Sequence, residues 1–385
     1  MAVRQRKSVS KRSGWRVSRT ASGNPSEYLD GRRNGFALGY KHGHWQGLCE
    51  AAIVKASVVH EKRPIKVLYV TSGKGYPYSP LDEAIHQSLL EVVGSVLVAS
   101  PKEDVAAVAA VQRPDLVLAL DGMDFPVEQV RRISQMGIRT AIWFTDDPYY
   151  TDITSGLAPY YDLVFTLEKN CVSYYQQLGC TRVYNLPLAV YPGYFRPRNP
   201  RMSLRGDVCF IGTAYWNRVY LFHELLPRLE SKVFRISGLW WDRLPEYHRW
   251  KNRIELGKWM TPVETAEYYN AHRIVINVHR AHDDETFNKN AAGITAVSPN
   301  PRAFEIAACG TLQIVDRRDD LTQYFVPGLE IVTYDTVDQL SGLIDYYLTH
   351  EQEREQIALR ALYRTMRDHS FANRLTQLLD LAMQP

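Results

Sequence analysis

Two series of short apolar runs, each run followed by a helical stretch, restrict this chain to one kind of architecture. The first series comprises residues 65–73 (IKVLYVTSG), 95–99, 115–120, 139–144, 162–166 and 182–186, with helical stretches near 81–93, 104–112, 125–136 and 169–178. The second begins at 207–212 (DVCFIG), then 233–238 (VFRISG), 273–280 (RIVINVHR), 311–315 and 330–333, with helices up to 229 and at 261–272, 301–308 and 336–349. Strands that read as continuous apolar runs are buried on both faces, which is the signature of a parallel sheet covered by helices. Connections of this length are right-handed crossovers. The expected class is α/β, with two Rossmann-like domains facing a cleft and a helical extension at the N-terminus. A chain of 385 residues exceeds what one ordinary core supports. The divisions read as a basic tail (1–24), a glycine-rich helix (25–62), a first domain (63–190), a Pro- and Arg-rich linker (191–206), a second domain (207–350) and a helical tail (351–385), broken near Ser370.

In such sheets ligands sit beyond the carboxyl ends of the strands. The richest of these regions is NPRAFEIAACGTLQIVD, residues 300–316. Pro301 suits a first helical position, and Gly310 suits the turn into a buried strand. Arg302 and Glu305 are three apart and share one helix face. A helix start with a guanidinium favours a diphosphate, and a carboxylate accepts from both hydroxyls of a ribose. Gly212 and Thr213 open the loop after the first strand of the second series, and Asn217 and Arg218 begin the next helix. His279 and Arg280 end another strand, and Asn300 precedes the Arg302 helix. These residues, Gly212, Thr213, Asn217, Arg218, His279, Arg280, Asn300, Arg302 and Glu305, form the expected nucleotide-sugar site, built without a Walker lysine or a G-x-G-x-x-G loop. Asp146 and Asp147 leave a buried strand in WFTDDP and are the candidates for a general base acting on an acceptor hydroxyl. No D-x-D or cysteine–histidine cluster points to a metal, so none is expected.

The charge is uneven. Seven Lys and Arg residues precede the first acid, Glu27, and removing them from the formal +4 leaves −3 for the remainder. The basic character belongs to the tail, and a nucleic-acid role would rest on that tail alone. Gly31, Gly35, Gly39, Gly43 and Gly47 recur every fourth residue, a smooth helical ridge suited to close approach of another helix or of a second copy. Five scattered cysteines argue against a disulfide framework. No apolar run reaches the ~18 residues of a membrane span, and no signal-like segment opens the chain. A cytoplasmic setting is expected.

The segments FIGTAYWNR, LAVYPGYFRP, WFTDDP, YYNAHRIVINVHR, NPRAFE and F-x-x-GLEIVTY together resemble the GT-B glycosyltransferases, and among them the spore-maturation CgeB-like group, over roughly residues 63–365. That resemblance implies transfer of a sugar from a nucleoside diphosphate donor, UDP-linked, to a sugar or protein acceptor of a spore or cell surface. It implies that Glu305 binds the donor ribose and that Arg218 and Arg302 face the diphosphate. One position departs: Val297 stands where E-x7-E enzymes carry their first glutamate. Two other readings remain at this stage: a sugar-nucleotide epimerase or hydrolase on the same scaffold, and a catalytically silent coat or assembly protein.

Overall fold

The computed structural model describes residues 25–75 and 78–384. The basic stretch 1–24 and the loop residues Tyr76 and Pro77 lie outside the described residues. The chain divides into two compact units, Met1–Trp45 and Gln46–Pro385. A helix Pro25–Ala56 begins in the first. A Cβ built on any of its five ridge glycines meets nothing within 4 Å among the described residues. Phe36 and Tyr40 beside the ridge are exposed. Within the second unit the last turns of this helix do pack: Cys49 and Ala56 are buried. The Cys49 Sγ lies 3.2 Å from where a Cβ on Gly310 would stand, and Gly310 has a φ of +66° that favours glycine.

Twelve strands in the second unit form two six-stranded sheets. The first holds β1 (Arg63–Val70), β2 (Val93–Ala99), β3 (Leu116–Leu120), β4 (Arg139–Phe144), β5 (Leu163–Thr166) and β6 (Val183–Asn185) in the order β2-β1-β3-β4-β5-β6. The second holds β7 (Gly206–Ile211), β8 (Phe234–Gly238), β9 (Ile254–Leu256), β10 (His272–Asn277), β11 (Leu312–Asp316) and β12 (Val332–Tyr334) in the order β12-β11-β10-β7-β8-β9. All neighbours run parallel; Ile274, for example, sits opposite Val208 on one side and Leu312 on the other. The central strands are buried throughout, as their unbroken apolar sequences require. Each sheet reverses its winding once, between β1 and β3 and between β7 and β10, and crevices form at such reversals.

The C-terminal tail differs from expectation. The break falls at Ser370, whose hydroxyl accepts from the Asn373 N–H. The helix Glu351–Asp368 stays with the second sheet, but the helix Phe371–Ala382 crosses back. Its Phe371, Leu375, Leu378 and Leu379 are buried in the core of the first sheet. The apolar stripe of the tail is thus a core face, and burying four such side chains is worth about 1.5–3 kcal/mol each. The tryptophan-rich stretch 240–259 contains short helical turns and one strand, β9, that its three residues were too few to announce. Among the described residues no helix is long and apolar enough to cross a membrane.

Candidate active site

An open cavity of about 170 Å³ lies beyond the carboxyl ends of β7 and β8. Gly212 and Thr213 form one wall, Gly238 and Leu239 a second, and Arg302 and Glu305 a third. The glycine wall is held from behind. Gly238 has a φ of +148°, and a Cβ there would stand 2.1 Å from the Gly212 carbonyl oxygen. The buried Trp241 donates its indole N–H to that same oxygen at 2.9 Å. Of the four tryptophans between 240 and 259, Trp259 lines the cavity; Trp241 and Trp250 are core.

The Arg302–Ala308 helix delivers Arg302 and Glu305 side by side, both half-buried. Neither side chain hydrogen-bonds to any described residue. Burial pushes the Glu305 carboxyl up to about 7 against the opposing pull of Arg302. Tyr269, not among the expected site residues, lines the same cavity from the end of the helix Pro262–Ala271. A capping box, spelled T-x-x-E in the sequence, starts that helix: Thr261 and Glu264 bond to each other's backbone N–H. A tyrosine in a last turn carries no periodic signal that separates core from cleft.

Five of the expected site residues form a frame behind the cavity and not its wall. The buried Arg218 donates through Nε and Nη2 to the Val278 carbonyl and through Nη1 to that of Thr213. Burial, reinforced by Arg302, pushes its guanidinium down to about 9. His279 is buried between Asp316, 2.6 Å from Nδ1, and the Asn300 N–H, which donates to Nε2 at 3.0 Å. That geometry assigns the neutral tautomer with the proton on Nδ1; burial first holds its pKa below the ordinary range. Arg280 stacks on Tyr149 and Tyr215 and donates to the Phe287 carbonyl. Asn217 donates to the His279 carbonyl. Asn300 exchanges amide hydrogen bonds with Asn277 and accepts from the Ala303 N–H at the helix start. Residues at strand ends point alternately to the two faces, and buried donors must find acceptors; Arg218, Arg280 and Asn217 found backbone carbonyls, whereas His279 and Asn300 found the side chains of Asp316 and Asn277.

The first sheet separates the two candidate bases. Asp147 is turned into the core, where Thr166, Tyr175 and Thr154 donate to it. Burial pushes it up to about 7, and it does not reach the cleft. Asp146 is half-buried and accepts from the Tyr78 hydroxyl at 3.1 Å. Burial first, then Asp121, raise its pKa; Lys74 and Arg280 pull it back. Asp121 ends β3 with a φ of +62° and pairs with Lys74 from the loop after β1. This pair straddles the winding reversal of the first sheet, and sequence gave no reason to join those two residues.

The halves meet at Glu168, just past β5. Its carboxylate accepts the N–H groups of Asn170, Val297 and Ser298, all at 3.1 Å. Lys169 pairs with Asp320 at 2.9 Å, and Asn170 donates to Thr295. The long polar loop before Asn300 is therefore a strap on the first half, also tied through Asn290 to Thr151 and through Ala291 to Asp152. Among the described residues no group of three or more His, Cys, Asp or Glu is arranged to hold a metal ion.

Two doubly wound parallel sheets with a cleft at the carboxyl ends of the second define the GT-B class of glycosyltransferase-like folds. Solved structures of that class align with this one. A glycosyltransferase from Rickettsia africae is 13% identical and covers 83% of this chain and 98% of its own, with a TM-score of 0.57. HepE of Anabaena in complex with UDP-glucose (12% identical; 82% and 98%; 0.55) and a sucrose-phosphate synthase from Thermosynechococcus elongatus (10%; 83% and 98%; 0.55) align similarly. The glycosyl transferase-like family model matches residues 218–380. Spore protein CgeB of Bacillus subtilis strain 168 is 30% identical over 297 residues, 76% of this chain and 91% of that protein. The chain belongs to the CgeB family of glycosyltransferase-like proteins.

Proposed function

We propose that this protein transfers a sugar from a UDP-linked donor to a hydroxyl of a glycan or protein acceptor. The observation that carries this reading is the pair Arg302 and Glu305. Both are half-buried on a cavity wall, and neither has a hydrogen-bonding partner among the described residues. An arginine and a glutamate left unpaired at a helix start are matched by a ligand that presents phosphate and a diol together. HepE, of the same fold, binds UDP-glucose, which supports uridine as the base.

In this reading Glu305 accepts from the ribose hydroxyls and Arg302 faces the diphosphate. The buried Arg218 holds the Thr213 carbonyl behind the glycine loop and adds positive potential from there. Asp146 takes the proton of the acceptor hydroxyl; the acceptor oxygen bonds to the anomeric carbon, and the bond from that carbon to the diphosphate oxygen breaks. Negative charge grows on the departing UDP, where a guanidinium is worth most. The arginines supply the positive charge, so the reaction is read as needing no metal. Asp146 suits the base because burial and Asp121 raise its affinity for a proton. Calorimetry tests the donor half: Glu305→Ala is expected to weaken UDP binding strongly. Unchanged affinity would remove the assignment. Incubation with donor alone, followed by product NMR, separates transfer from epimerisation and hydrolysis.

A further inference from the structure

Tyr269 stands on the cavity wall beside Arg302 and Glu305. Tyr269 is 1% exposed, its ring lines the cavity, and its hydroxyl has no hydrogen-bonding partner within the protein. Buried hydroxyls are nearly always paired, and each exception asks for a cause. The charged side chains acting on the phenol are Glu305 and Arg302, the same two that stand open to the cavity. Burial, and then Glu305, hold the phenol protonated far above its ordinary range, so it can only be a neutral group with a hydrogen to donate.

A carboxylate and a phenol side by side have complementary duties. The carboxylate only accepts, whereas the phenol donates. A vicinal diol offers both hydrogens and lone pairs, and is the one part of a nucleotide sugar's handle that satisfies both at once. We propose that Tyr269 donates to one hydroxyl of the ribose diol that Glu305 accepts from, making it a ribose-binding residue of the nucleotide site. This rests on the nucleotide-sugar reading of the cavity.

The test is Tyr269→Phe, measured by thermal melting without ligand and by calorimetry with UDP, 2′-deoxy-UDP and 3′-deoxy-UDP. Because the hydroxyl has no internal partner, its removal leaves the melting temperature of the free protein unchanged or raised. UDP affinity falls about five- to tenfold, the value of one hydrogen bond. One of the two deoxy ligands binds both proteins equally, since either change removes the same bond. Three results would each overturn the inference alone: equal UDP affinity in both proteins, fully additive losses with both deoxy ligands, or a melting temperature lowered by several degrees in the free variant. Absence of UDP binding by the wild-type protein overturns the nucleotide reading and this inference with it.

Discussion

Replacing Glu305 by glutamine separates what the residue does for the fold from what it does for the ligand. The carboxyl is held at about 7 in the folded protein, against an ordinary value of 4.5. The folded state therefore binds this proton more tightly than the unfolded chain does. The sign follows: ionised Glu305 costs stability, the cost is absent below pH 4.5, it grows as pH rises through 7, and it is complete above. A difference of roughly 2.5 pH units at 1.36 kcal/mol each sets an upper bound of about 3 kcal/mol. The side chain is partly open to cavity solvent, which reduces this to about 1–2 kcal/mol. At pH 8 Glu305→Gln should melt several degrees above wild type, at roughly 2–4 °C per kcal/mol. At pH 5 the two should melt nearly together. The same variant should lose UDP affinity at pH 8, because the amide repels one of the hydroxyl hydrogens the carboxylate accepts. A gap in melting temperature that does not change with pH would refute the account of burial. Loss of stability at pH 8 would mean that the carboxylate has a partner inside the protein. Full UDP affinity would refute the ribose assignment.

Other perturbations address separate parts of the cleft. Asp146→Asn should cut turnover of the sugar donor by about 10²–10⁴-fold while leaving calorimetric UDP affinity unchanged, since a general base acts after binding; equal turnover would clear Asp146 of that role. Gly238→Ala forces a Cβ to 2.1 Å from the Gly212 carbonyl oxygen at a φ of +148°. It should displace the loop wall, destabilise by more than about 2 kcal/mol and lose UDP binding; a variant as stable as wild type would show that the wall tolerates movement. Glu168→Ala leaves the N–H groups of Asn170, Val297 and Ser298 without their acceptor. Faster deuterium uptake across residues 295–300 is expected, together with weaker UDP binding, although Glu168 stands on the opposite sheet. Uptake equal to wild type would show that the strap is held elsewhere.

Much of the architecture was legible because parallel strands advertise themselves. A strand buried on both faces carries few polar residues, so LVLAL and AIWF read as strands without ambiguity. The capping box at Thr261 and the break at Ser370 were legible for a similar reason: both are local chemistry among residues within three positions. The shared placement of Arg302 and Glu305 on one cavity wall was legible, because helix spacing fixes a common face. The inward turn of Arg218, His279 and Arg280 was not legible, because sequence shows which polar groups reach a strand end but not which backbone or side-chain acceptors will claim them. His279 shows this most plainly: its partner Asp316 ends a neighbouring strand, and only the sheet order brings the two together. Tyr269, Lys74 and Asp121 were passed over for the converse reason, since their roles depend on neighbours far away in the chain. The return of the last helix to the first sheet needed the same long-range information.

The central claim is that the second half grips a uridine diphosphate handle between the Gly212–Thr213 loop and the Arg302 helix. A crystal structure of the protein with UDP bound tests it most directly. The account predicts ribose density within hydrogen-bonding distance of Glu305, with the diphosphate against Arg302 and the glycine loop. A nucleotide bound elsewhere, with Glu305 and Arg302 still facing solvent, would contradict it.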